Sequence, residues 1–277
     1  MGAHGRGFDV SVVAVANQKG GVGKTTTTVN LAAAAAEMGR RTLVIDADAQ
    51  ANATSALGAD ASGAHIYDAL LGEIPLNQCI VPTAWAALDL APSSMDLVAA
   101  ELELAGRPQR EFVLRGALSA VAARYDLILI DCGPSLGLMT LNALVASDAA
   151  IAPVQCEYLA LEGLSALLET IRRVQMHLHP GLQLLGVVAT MYDGRTRLSQ
   201  DVATQLKEHI SSTFETIIPR SIRLSEAPSH QRPIIDYAPR SRGAEAYREL
   251  AGELLLRLSE MPSSRLYANC VGDGALT

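Results

Sequence analysis

Seven short apolar runs alternate with stretches of helical composition through most of this chain. The runs are VSVVAVA (10–16), RTLVIDAD (41–48), LDLA (88–91), DLILID (126–131), AAIAPV (149–154), LLGVVATMY (184–192) and TIIP (216–219). The first is short, continuous and rich in β-branched residues, as in a strand buried on both faces. Helical composition marks TTTTVNLAAAAAEMG (25–39), with Gly39 as its stop, and the stretches 95–105, 110–123, 136–146, 159–178, 197–210 and 242–259. Strands alternating with helices predict an α/β fold, a single doubly wound, mostly parallel sheet flanked by helices. Such sheets bind ligands at the carboxyl ends of their strands, so the turns after residues 16, 48, 131 and 192 are where chemistry is expected.

Composition narrows the class. With 49% apolar and 18% charged residues the chain is globular, not disordered. Its apolar runs are too short to span a bilayer, and MGAHGRGFDV lacks the hydrophobic core of a signal peptide. Cys79, Cys132, Cys156 and Cys270 have no CxxC spacing, which points to a reducing, cytoplasmic setting and away from zinc. The six histidines, including His177 and His179 in H-x-H, read as surface residues. A net charge of −7 excludes a uniformly basic DNA coater, yet Arg195, Arg220, Arg223, Arg240 and Arg242 lie in a stretch, 195–248, that is locally basic. Arginines far outnumber lysines, so Lys19 and Lys24, five residues apart, stand out.

Those two lysines belong to NQKGGVGKTTTT (17–28), directly after the first strand. Glycines there let backbone N–H groups turn inward around phosphate oxygens, and the following helix N-terminus adds positive charge. This predicts a P-loop NTPase fold in which Gly20, Gly21, Val22, Gly23, Lys24, Thr25 and Thr26 hold phosphates. Lys24 reaches the outer phosphates and the Thr25 hydroxyl ligates Mg²⁺. The generic pattern has Gly where this chain has Gln18, and Lys19 is additional. DLILIDCGPS (126–135) is an apolar strand ending in an acid, the Walker B pattern, with Asp131 holding Mg²⁺ through water.

With K-G-G-V-G-K-T (19–25), the chain resembles the ParA/Soj partitioning ATPases, whose wider group includes MinD and the nitrogenase iron protein. VIDADAQANATSALG (44–58), with Ala49 where the family has Pro, and IIPRSIRLSEAPSHQRPIIDYAPRSRGAEAYREL (217–250) extend the likeness over about residues 10–258. The resemblance implies ATP as nucleotide and a Lys19 that reaches the partner's nucleotide in an ATP-dependent homodimer. It implies that Asp48 positions the attacking water, that Asp46 supports the Mg²⁺ region, and that Pro219 and Arg220 lie near the adenine. It further implies non-specific double-stranded DNA binding, a ParB-type centromere-binding partner and nucleoid association. The expected organisation is a short extension (1–9), an ATPase domain (10–260) and a flexible tail (261–277).

Rival readings use the same residues. Gly133-Pro134-Ser135-Leu136-Gly137 matches the nucleophile elbow G-x-S-x-G, with Asp193 and His230 as possible partners. The family usually carries Pro at 133, and no oxyanion segment of the HGGG type is present. A MinD-like membrane cycle needs a basic amphipathic C-terminal helix, which 261–277 does not offer, so no membrane partner is expected. An iron–sulfur reductase needs cluster cysteines that are not apparent. The same switch could instead position a protein cargo on the nucleoid. Only about ten residues precede the first strand, leaving no room ahead of it for a DNA-reading domain.

Overall fold

The computed structural model describes residues 10–59, 62–157, 160–262 and 267. Its first half runs β1 (Ser11–Val15), α1 (Lys24–Glu37), β2 (Thr42–Ala47), α2 (Asn52–Ala56), α3 (Ile66–Leu71), α4 (Leu76–Cys79), β3 (Val81–Pro82), β4 (Leu88–Ala91), α5 (Leu97–Leu104) and α6 (Val113–Ser119). It continues β5 (Leu127–Cys132), α7 (Leu138–Val145), β6 (Ala149–Gln155), α8 (Ala160–His177), β7 (Gln183–Thr190), α9 (Arg197–His209), α10 (Ile222–Glu226), α11 (Ile234–Tyr237) and α12 (Arg242–Glu260).

The strands form one seven-stranded sheet in the order β3-β4-β2-β5-β1-β6-β7, parallel except for the β3–β4 pair. Period-two alternation sends successive side chains to opposite faces. Val12 and Ala14 join one core with Leu97, Leu118, Leu164 and Leu206, while Val13 and Val15 join another with Leu31, Tyr247 and Leu254. α1 and α12 therefore cover one face, and α5 to α9 the other. Because β1 is flanked by β5 and β6 and buried on both faces, its C-terminal end opens onto the middle of one sheet edge.

Four expectations need correction. TIIP is not a strand: isolated bridges join Val187 to Thr213 and Tyr192 to Pro219, and Ile218 N donates to Ala189 O at 2.9 Å. Pro219 has no N–H to offer on the side away from β7, so the segment cannot serve as an interior strand. The stretch 110–123 is not one helix; a 3-10 turn at Arg110–Phe112 precedes α6, and another at Ala122–Arg124 follows it. His179 is buried rather than on the surface, with Nε2 3.1 Å from Ser147 O; burial and nearby Arg115 lower its pKa. Finally, Tyr267, in the segment expected to fray, is buried and donates its hydroxyl to Ala146 O at 2.8 Å. The extension 1–9, Cys270 and most of 263–277 lie outside the described residues.

Candidate functional site

The turn between β1 and α1 is held by glycine geometry and by bonds to neighbouring strands. Gly21 and Gly23 take φ of +75° and +89°, a left-handed backbone that side chains resist, and Gly23 caps α1. Asn17 Nδ2 donates to Pro153 O at 2.8 Å, while its Oδ1 accepts from Lys19 N at 3.0 Å. Thr190 Oγ1 donates to Val22 O at 2.8 Å. These bonds tie the loop to β6 and β7. Lys24 is buried, its Nζ donating to Lys19 O at 3.0 Å. Burial lowers its pKa, opposed by the charges of Asp131, Cys132 and Asp48. A buried ammonium and the free N–H groups of a helix start meet here, the arrangement that neutralises a bound anion.

Three carboxylates stand at the neighbouring strand ends. Asp131, on β5, is fully buried and accepts from Thr25 Oγ1 at 2.7 Å and from Thr28 Oγ1 at 2.9 Å. Its pKa is raised by burial and by the charge of Asp46, against the pull of both threonines. Asp46 is paired with Asp131 across β2 and β5 and is also fully buried. One of its oxygens accepts from Thr54 N and Oγ1, both at 2.8 Å, and the other from Asp48 N at 3.2 Å. Burial raises its pKa too, against these hydrogen bonds. Asp46 thus ties the end of β2 to α2 and supports the region from behind. Asp48 is only half-buried, and its Oδ1 accepts from Gln50 N at 3.0 Å.

Asp48 faces a cleft of about 420 Å³, bordered also by Gly20, Lys24, Thr25, Pro134 and Arg232. A second hollow of about 250 Å³ adjoins it through shared Gly23, Thr26, Met191 and Pro228. That hollow is walled by Ile218, Pro219, Leu224 and Tyr247, with Arg220 beside them. One end of the combined cavity carries the glycine turn and Lys24, the other Ile218, Pro219, Leu224 and Tyr247, a pairing that suits a nucleotide's phosphates and base.

The structure brings Gly20, Gly21, Gly23, Lys24, Thr25, Thr26 and Asp48 to one cleft and Pro219 and Arg220 to its extension. Val22 is buried, so only its backbone is available. Lys19 is half-buried, and its Cβ lies 3.3 Å from where a Cβ on Gly163 would stand. The arginines are less uniform. Arg195 grips Asp193 through two bonds of 2.9 and 2.7 Å, drawing the Asp193 pKa down to about 2. Arg220 pairs with Glu157 at 2.6 Å and Arg223 with Glu226 at 3.1 Å, whereas Arg240 and Arg242 are exposed. Exposed pairs of this kind are weak and can be exchanged for phosphate.

The nucleophile-elbow reading finds no support. Asp193 is held by Arg195, His230 stacks on Tyr237 with centroids 4.8 Å apart, and the described residues contain no hydrogen bond from Ser135 to either. Cys79, Cys132 and Cys156 are buried thiols, and burial raises the pKa of each. Thr28, Asn30 and Asn17 were missed as site residues. Thr28 was findable, since three residues beyond Thr25 it shares the same helix face.

A profile of the AAA domain family matches residues 10–184. The sporulation initiation inhibitor protein Soj of Bacillus subtilis is 51% identical over 246 residues, covering 88% of this chain and 97% of that protein. This chain belongs to the ParA/Soj family. A second ParA/Soj relative, the chromosome-partitioning ATPase Soj of Thermus thermophilus, is 50% identical over 90% of this chain and 96% of its own. Among solved structures, one from Mycobacterium smegmatis, described as cobyrinic acid a,c-diamide synthase with bound ADP and magnesium, is similar at a TM-score of 0.79. It is 38% identical, over 92% of this chain and 99% of its own. The ParA/Soj assignment thus rests on near full-length likeness. Among the described residues no helix is long and apolar enough to cross a membrane.

Proposed function

We propose that this ParA/Soj chain is an ATP-dependent dimerisation switch acting in chromosome or plasmid segregation, with residues 10–260 as its ATPase unit. The observation that carries the reading is the meeting of Lys24, Thr25, Asp131 and Asp48 around a glycine turn that is already tied in place. The backbone of 20–23, with Lys24 and Thr26, holds the phosphates. Pro219 and Arg220 border the base. Thr25 and Asp131, backed by Asp46, are the residues that would hold Mg²⁺; a hydroxyl beside a buried carboxylate is the hard-oxygen donor set that this ion takes, often through water. When bound, Mg²⁺ neutralises phosphate charge.

Asp48, half-buried at the cleft, orients the attacking water. Lys19 serves the nucleotide of a second copy, as an arginine finger does. The ATP-bound pair doubles the basic surface offered by Arg195, Arg220, Arg223, Arg240 and Arg242, which engages DNA phosphates without reading sequence. A ParB-type partner stimulates slow turnover, and the protein works in the cytoplasm on the nucleoid. The test is gel filtration and DNA mobility shift with ATP and Mg²⁺. The wild type should dimerise and then shift DNA, whereas Lys24→Ala should bind no ATP and Lys19→Ala should bind it and stay monomeric. A Lys19→Ala protein that still dimerises with ATP would remove the exchange of lysines between copies.

A further inference from the structure

The wall on the base side of the cleft comes from the far end of the chain, residues 218–232, yet it must stand in register with a loop at 19–25. Backbone bonds beside β7 set only the wall's first residues: Ile218 N donates to Ala189 O at 2.9 Å, Tyr192 N to Ile218 O at 3.1 Å and Arg220 N to Tyr192 O at 2.8 Å, and among the described residues none of this kind reaches 227–232. What bridges the two parts is one side chain on the phosphate helix. Asn30, on α1, is buried. Its Nδ2 donates to Thr26 O at 2.7 Å, and its Oδ1 accepts from Ile234 N at 2.6 Å. Ile234 is the first residue of α11 and directly follows the turn that carries Ala227, Pro228 and Arg232 to the cleft.

We infer that Asn30 is a positioning residue that holds the base-side wall at a fixed distance from the phosphate loop. This rests on the nucleotide reading above. An amide is suited to the task because it must donate to one backbone and accept from another at once. Leucine or valine leaves Ile234 N buried and unpaired, while Thr26 O keeps its helix bond. The spacing matters only to a ligand that touches both ends. ATP spans loop and wall, whereas inorganic tripolyphosphate meets the loop alone. Thr27 and Tyr247, whose hydroxyls lie 3.3 Å apart, form a second tie between α1 and α12, but that one sits at the floor of the hollow and does not hold the 227–234 turn.

The experiment is calorimetric titration of ATP and of tripolyphosphate, each with Mg²⁺, into the full chain. Asn30→Leu should weaken ATP binding about tenfold, the scale of one buried hydrogen bond lost, and leave tripolyphosphate affinity within about twofold. Asn30→Asp keeps the oxygen that Ile234 N donates to and should recover most of the ATP affinity; it also serves if Asn30→Leu does not fold. Equal weakening of both ligands would assign Asn30 to the phosphate loop and overturn the inference, as would an unchanged ATP affinity. A wild-type protein that takes up neither ligand would instead defeat the nucleotide reading itself.

Discussion

Thr28 Oγ1 lies 2.9 Å from Asp131 Oδ1 and 3.0 Å from Lys24 O, so its one proton is contested between a buried carboxylate and the first carbonyl of α1. Thr25 holds the other carboxylate oxygen at 2.7 Å. If Thr25 turns toward a bound metal, Thr28 is the donor left to keep Asp131 in place. Thr28→Val keeps shape and removes the hydroxyl. It should cost about 1.5–3 kcal/mol of stability, the range for a hydrogen bond to a charged group, read as a lower midpoint in urea. Mg²⁺ dependence of ATP turnover should shift to higher concentration.

Gly133 leaves room for the Asp48 carboxylate through the side chain it lacks. A Cβ there would lie 3.3 Å from both Cγ and Oδ1 of Asp48, so Gly133→Ala must push that carboxylate aside. Small misplacements of a reacting group carry large rate penalties. Because the family usually carries Pro, itself with a Cβ, at 133, the carboxylate here gives by only a few tenths of an ångström, and kcat should fall by no more than about threefold with KM little changed, measured by steady-state phosphate release. An equal rise in KM would point to the phosphate loop as the part disturbed.

Gly163, on α8, is a close-packing requirement for the lysine loop. An added Cβ would stand 2.9 Å from Asn17 Oδ1 and 3.3 Å from Lys19 Cβ. Asn17 cannot yield without loosening its bonds to Pro153 O or Lys19 N. Gly163→Ala gains helix propensity worth about 0.5–1 kcal/mol but incurs overpacking of about 1–3 kcal/mol. The net result should be a modestly lower melting temperature together with weaker ATP-induced dimerisation on a sizing column.

His179 makes stability depend on pH. Burial and Arg115 hold its folded pKa below the ordinary 6.5, only partly offset by the Ser147 carbonyl. In the unfolded chain the imidazole takes up a proton as pH falls through 6.5, whereas the folded protein does so only at lower pH. This group's contribution is therefore complete above pH 6.5 and declines as pH falls below it, down to the folded pKa. Urea melts between about pH 7.5 and 5 should show a decline that His179→Gln makes shallower.

The phosphate turn and the carboxylates after β2 and β5 were legible in the sequence because each is a local device: glycine spacing, or an acid closing an apolar run. The alternating pattern also placed six strands of the sheet. What escaped is built from long-range partners. Asn30 looks like any helix residue until Ile234, 204 positions away, returns to it. His179 has nothing in H-x-H to show that Ser147 O awaits it. β3 is two residues long and carries a proline, too little pattern to read. TIIP had strand composition, and only the path beside β7 shows that it pairs through isolated bridges and not a continuous ladder.

Both margins of the sheet are closed by proline. On one side β3 offers two residues ending in Pro82, paired antiparallel to β4; on the other, the 213–220 segment runs along β7 through isolated bridges, with Pro219 offering no N–H to the outside. Neither rim gives an incoming strand a run of donors to grip. Copies of this chain are therefore left to meet through helix and loop faces, not by adding strands to the sheet.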